Sequence, residues 1–145
     1  MVPARPSPLR LVDGDAFRRL CNARDFVRAH HAEGLTIERI AKAAGMSPFH
    51  FARTFRRCFG QTPHAFLVDV RLARAKELLA RRGTHVTDVC FDVGFASLGS
   101  FSALFSREVG RPPSAWQREV VRLAQVPGAL ARRHVPYCFA MLFAG

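Results

Sequence analysis

The chain is predicted to be all-α, built from two copies of a helix-turn-helix unit with a longer helix between them. Apolar residues recur at three- and four-residue intervals through most of the sequence, the period of amphipathic helices. Glycine corners and capping residues divide that pattern into short segments. The order of apolar, glycine and proline positions in residues 37–66 then returns in residues 86–116.

Residues 1–14 carry Pro3, Pro6 and Pro8 with little periodicity and are expected to be a flexible lead-in. Asp13 or Asp15 would cap a helix running to about His31, with Phe17, Leu20, Cys21, Arg24, Val27 and His31 as helical neighbours whose apolar members form the inward stripe. His30 and His31 face about 100° apart on a helix and have no third ligand nearby, so they read as a solvated helix end and not as a metal site. Gly34 breaks the chain, and Thr36 caps a short helix from Ile37 to Ala44.

Ser47 to Gly60, SPFHFARTFRRCFG, has a clear start and stop. The Ser47 hydroxyl can accept from the free amides of a first turn, Pro48 suits the first helical position, and Gly60 ends the element. At about 100° per residue, Phe51, Phe55 and Cys58 share one face and Phe49, Arg53, Arg56 and Arg57 the other. The apolar face needs a core and the basic face an anionic partner. With Gly45-Met46 as the corner before it, the pair follows helix-turn-helix grammar, in which the second helix enters a major groove.

Gln61-Thr62-Pro63 opens a longer helix from His64 to about Arg81, a rod of about 26 Å, with Phe66, Val70, Leu72, Ala73, Leu78 and Leu79 as its apolar content and Gly83 beyond its end. Ile37, Ile40, Ala41, Ala44, Gly45 and Met46 are then echoed 49 residues later by Val86, Val89, Cys90, Val93, Gly94 and Phe95. After one inserted residue, Phe51, Phe55, Phe59, Gly60, Pro63 and Phe66 are echoed by Phe101, Phe105, Val109, Gly110, Pro113 and Trp116. Two unrelated helical pairs would leave the matched glycines and prolines unexplained.

The 145 residues carry a formal net charge of +11, which points to a polyanionic partner; interleaved aromatic and basic residues on periodic helices favour nucleic acid over a membrane surface. Cys21, Cys58, Cys90 and Cys138 form no C-x-x-C pair and read as reduced, buried small hydrophobes. No apolar run reaches the roughly 18 residues of a membrane span, and MVPARPSPLR lacks a signal peptide's apolar centre, so the expected location is the cytoplasm, with no membrane partner.

Three stretches together carry a family resemblance: I-x-x-I-A-x-x-A-G-M-S-x-x-x-F-x-R-x-F-R-x-x-F-G-x-T-P from Ile37, R-L-A-R-A-K-E-L-L from Arg71, and V-x-D-V-C-x-x-V-G-F-x-S-x-x-S-F-S-x-x-F-x-x-x-V-G-x-x-P from Val86. Over roughly residues 15 to 120 the chain resembles the DNA-binding domain of the AraC/XylS family. The resemblance implies about seven helices, with two homeodomain-like three-helix subdomains (15–63 and 83–123) joined by a linking helix (64–82) and followed by an apolar tail (124–145). It also implies a transcription regulator that binds double-stranded DNA without a cofactor or metal. With only about 14 residues before the first helix, the expectation is the family's stand-alone type, a monomer or weak dimer.

Carrying the family's base-reading positions over gives Phe49, Ala52 and Arg53, flanked by His50, Arg56 and Arg57. Arg53 is the expected base reader, since guanidinium pairs bidentately with guanine; Arg56, Arg57 and Ser47 are expected on phosphates, and Phe49 or Ala52 against a thymine methyl. The same positions in the second copy are Gly99, Ser102, Ala103, Ser106 and Arg107, with Ser97 and Ser100 nearby, so Ala103 stands where the first copy has Arg53. In residues 37–63, Arg39, Lys42, Arg53, Arg56 and Arg57 face only Glu38, whereas in residues 86–123 four arginines are matched by Asp88, Asp92, Glu108 and Glu119. The first copy should therefore give most of the electrostatic affinity and the sharper readout, and the second weaker contacts helped by DNA shape.

Phe51, Phe55, Phe101 and Phe105 have the pattern of core residues and not of a stacking platform for single-stranded bases, and Trp116 is also read as core. The tail, with VPYCFAMLF, is read as packing back on the helices or as a surface for a second copy or RNA polymerase. No enzyme is expected: a phosphate loop, H-E-x-x-H, G-x-S-x-G and a two-metal carboxylate cluster are all missing. The rival readings are a protein-interaction module that modulates another regulator and, further off, a DNA-processing enzyme.

Overall fold

The computed structural model describes residues 13–125, which form seven α-helices and no strand. They are α1 (Gly14–His30), α2 (Ile37–Ala43), α3 (Pro48–Phe59), α4 (Pro63–Leu79), α5 (Val86–Asp92), α6 (Leu98–Val109) and α7 (Pro113–Ala124). The expectations for the lead-in up to Val12 and for the tail from Val126, including Cys138, lie outside the described residues.

The helix ends follow from local chemistry. Thr36 Oγ1 accepts from the Arg39 amide at 3.4 Å, and Ser47 Oγ accepts from the His50 amide at 3.4 Å. Asp13 stands at the N-cap of α1 but uses its backbone carbonyl, which accepts from the Phe17 amide at 2.9 Å, so neither predicted aspartate caps through its side chain. Gly60 and Gly110 terminate α3 and α6 in the left-handed region, with φ of 74° and 82°. Helix α4 starts one residue before the predicted His64 and ends at Leu79, two residues short of the predicted Arg81. Thr62 Oγ1 accepts from the Ala65 amide at 3.1 Å at its start.

The chain divides into two compact units, with the boundary at Arg71 and Leu72 inside α4. In the first, α1 packs on α2 and α3. Its core holds Leu20, Ala23, Val27, Ile40, Ala41, Ala44, Phe51, Phe55, Phe66 and Leu67, with Cys58, Phe59 and Val70 against it. Phe55 sits 5.4 Å from Phe51, 4.7 Å from Phe59 and 5.8 Å from Phe66, centroid to centroid. Arg71 donates from Nε to the His31 carbonyl at 2.8 Å and from Nη2 to the Glu33 carbonyl at 3.0 Å, closing the C-terminal end of α1.

In the second unit, α6 packs on α5 and α7. Leu72, Ala75, Leu79, Val89, Cys90, Val93, Phe101, Phe105 and Val120 are buried. The aromatic arrangement repeats: Phe105 lies 5.6 Å from Phe101 and 6.0 Å from Trp116. The corners repeat as well, since the Met46 amide donates to the Ala41 carbonyl at 3.0 Å and the Phe95 amide to the Cys90 carbonyl at 3.1 Å. Burial pushes the Cys58 and Cys90 thiols up, so both act as protonated packing groups.

Two expectations about the core are corrected. Ala73 points to solvent, while Leu67 and Ala75, which were not singled out, are buried. The inward stripe of α1 runs through Leu20, Ala23 and Val27, leaving Phe17 and Cys21 half-buried at its edge.

Candidate nucleic-acid interface

Helix α3 presents two chemically distinct faces. Phe51, Thr54 and Phe55 are buried, and the Thr54 hydroxyl is tied to the His50 carbonyl at 2.8 Å. Opposite them, Phe49, His50, Arg53, Arg56 and Arg57 are exposed, with Ala52 half-buried. Phe49 is 76% exposed, the most exposed of the described large apolar side chains, and an apolar ring left in water is suited to contact with another apolar surface.

Phe49, Ala52, Arg53, Arg56 and Arg57 border one open recess of about 540 Å³, joined by Thr62 at the start of α4. Five of the residues singled out from sequence thus meet at one surface. Thr62 was missed; the only sequence signal for it was the Thr62-Pro63 helix start. His50 and Ser47 lie outside the recess, where Ser47 serves as the cap. Arg53, Arg56 and Arg57 form no salt bridge with any described residue, so three guanidiniums stand on one helix face with their donors available. Arg39, also counted as basic, is committed to Glu33 at 2.8 Å.

Helix α6 carries a weaker version of the same face. Ser97, Gly99, Ser100, Ala103 and Arg107 are exposed, and Ser102 and Ser106 are half-buried. Ser97 Oγ accepts from the Ser100 amide at 3.2 Å and donates to Ser100 Oγ at 2.9 Å. Ser106 donates to the Ser102 carbonyl at 2.7 Å, so the hydroxyl protons of Ser97 and Ser106 are both engaged within the helix. Arg107 pairs with Glu108 at 2.8 Å, and Arg111 pairs with Glu119. On the α6 face, the poorer charge balance of this copy is therefore also a shortage of free donors.

Among the described residues no three His, Cys, Asp or Glu side chains gather as a metal site would require. No described helix is long and apolar enough to cross a membrane.

Two units of this kind, each with a capped second helix that keeps one face exposed, define a double helix-turn-helix protein. A helix-turn-helix domain family matches residues 40–119. The chain belongs to the AraC/XylS type of helix-turn-helix DNA-binding domain. It is 33% identical over 113 residues to the HTH-type transcriptional activator RhaS of Escherichia fergusonii, covering 78% of this chain and 41% of that protein. It is 38% identical over 89 residues to the RCS-specific HTH-type transcriptional activator RclR of Escherichia coli, covering 61% and 31%. Among solved structures it is similar to the DNA-binding domain of the global transcriptional factor AdpA in complex with a target DNA. That match has a TM-score of 0.70 and 28% identity, covering 74% of this chain and 98% of the other. The chain spans about a third to two fifths of the length of the first curated relatives it matches.

Proposed function

We propose that the protein is a sequence-specific transcription regulator that binds double-stranded DNA by inserting α3 and α6 into successive major grooves on one side of the duplex. The observation that carries this reading is the outer face of α3, where Arg53, Arg56 and Arg57 are exposed and unpaired among the described residues while the opposite face is buried. The DNA complex of the AdpA domain supports it, as do relatives named as transcriptional activators.

Arg53 reads bases, and Arg56 and Arg57 hold phosphates. Phe49 or Ala52 meets a thymine methyl. Helix α6 contributes van der Waals fit and a few hydroxyl contacts, and the sequence-dependent shape of DNA supplies the remaining preference there. Major-groove faces on one side of a duplex recur every helical turn, about 34 Å, so one monomer reading two of them would cover about 20 base pairs of asymmetric sequence. Cytoplasmic location, a monomer or weak dimer, and contact with RNA polymerase belong to the same proposal.

Selection of sites from a pool of random duplexes tests it. The expected outcome is one information-rich half-site and one diffuse half-site, bound by a single copy of the chain. Two equally sharp halves would overturn the division of labour. A palindrome bound only by a dimer would overturn the monomeric mode, and no shift of duplex DNA would favour a protein-interaction module instead.

A further inference from the structure

The second unit has a concentration of positive charge that its recognition helix does not explain. Arg81 and Arg82, in the turn after α4, and Arg118 and Arg122, one turn apart on α7, line one open cleft of about 400 Å³. Gly83, Gln117, Val121 and Gln125 complete it, and α6 contributes no residue. The cleft is therefore distinct from the groove-facing surface of that unit.

Its walls are held in place. Gln117 Nε2 donates to the Thr84 carbonyl at 2.7 Å, tying α7 to the turn. Thr84 Oγ1 donates to the Arg81 carbonyl at 3.1 Å, and Gly83 turns the chain with a φ of 77°. Arg81, Arg82 and Arg118 are exposed, as is Arg122. None of the four pairs with a carboxylate among the described residues, whereas Arg107 and Arg111 of the same unit are both paired. Residues 126–145 contain no Asp or Glu that could supply the missing charge.

Four like charges around one cleft repel each other, and a bound anion relieves that repulsion. Guanidinium forks match phosphate oxygens bidentately, and four of them suit a multiply charged group better than a single carboxylate. The volume is within the range of small-ligand sites. We propose that the Arg81–Arg82–Arg118–Arg122 cleft is a phosphate-binding site separate from the α6 recognition face. The phosphate comes either from the backbone of a bound duplex flanking the second unit or from a free phosphorylated small molecule.

The test uses the full chain and two variants from opposite walls, Arg118→Gln/Arg122→Gln and Arg81→Gln/Arg82→Gln. Circular dichroism confirms folding, and if one pair fails to fold the other decides. Calorimetric titration with sodium pyrophosphate, against citrate at matched ionic strength, reads the free-ligand source. The salt dependence of binding to a duplex of about 40 random base pairs reads the backbone source.

A drop in pyrophosphate affinity of about ten-fold or more in the variants supports the site as a small-molecule pocket. A salt slope lower by about one unit for each phosphate that the variant no longer neutralises supports the backbone source. Unchanged pyrophosphate affinity together with an unchanged slope overturns the proposal, and citrate binding as tightly as pyrophosphate overturns the phosphate assignment. If the unmodified chain shifts no duplex, the regulator reading fails while the pyrophosphate titration still decides the cleft.

Discussion

Arg71 donates to the carbonyl of His31, 40 residues earlier, at 2.8 Å, and so closes the end of α1 with a side chain from α4. The last carbonyls of a helix have no intrahelical partner, and a cation placed among them also answers the negative end of the helix dipole. Burial pulls the Arg71 pKa below the ordinary guanidinium value, a sign that the group is partly withdrawn from water.

Arg71→Ala should destabilise the protein by about 1–3 kcal/mol, because two hydrogen bonds from a charged donor disappear and the carbonyls are left behind. Arg71→Lys should recover only part of this, since a single ammonium cannot reproduce the planar fork. Urea unfolding followed by circular dichroism measures both. An unchanged midpoint for the alanine variant would show the clamp to be energetically silent.

Arg53 and Arg57 stand on the same exposed face but are assigned different roles. Arg53→Ala should relax preference at one or two base pairs, worth about 1–3 kcal/mol of discrimination. Arg57→Ala should weaken all duplexes alike and lower the salt slope by about one unit. Binding assays on a selected site and on random duplex, at several salt concentrations, separate these outcomes. Equal losses on both duplexes from Arg53→Ala would refute its base-reading role.

The matched aromatic positions predict matched costs. Phe55→Ala and Phe105→Ala should each cost about 3–5 kcal/mol, since each removes a fully buried ring that touches aromatic neighbours on its own helix and on the next. Trp116 is only half-buried and meets Phe105 edge-on, so Trp116→Phe should cost much less. Thermal melts of the three variants check the ranking.

Glu33 accepts from His30 Nδ1 at 2.7 Å and from Arg39 Nη2 at 2.8 Å, and these hydrogen bonds, His30 first, hold its carboxyl below the ordinary value. A depressed carboxylate contributes stability at pH values above its unfolded pKa and loses it as the pH falls through the folded one. Glu33→Gln should therefore lower the melting temperature at neutral pH, and the gap to the unmodified chain should close below about pH 4. The effect should be small, since the group is exposed. A gap that persists at acid pH would assign the loss to packing.

The helices were legible because their signals are local. Thr36, Ser47 and Ser97 supply caps, Gly60 and Gly110 adopt the left-handed backbone, and both corners close with the same backbone hydrogen bond. The repeat was legible because two copies of one core demand aromatic rings at corresponding positions, and Phe51–Phe55–Phe66 and Phe101–Phe105–Trp116 pack alike. Small residues were harder to place. Ala23 and Ala75 are buried while Ala73 is exposed, and alanine carries too little apolar area for periodicity to weigh.

For the site, the sequence by itself determined which residues share the outer face of α3, because 3.6 residues per turn fixes their azimuth. It also determined that the second copy lacks a long donor at Ala103. Only the tertiary structure decided which arginines remain free. Residue counting treated Arg39, Arg107 and Arg111 as equivalent to Arg53, yet each of the three has a carboxylate partner. Nor could spacing place Arg81 and Arg82 beside Arg118 and Arg122, which the fold brings together from residues about 40 positions apart. Ion pairing and convergence depend on where side chains end in space, and that is fixed by packing between helices.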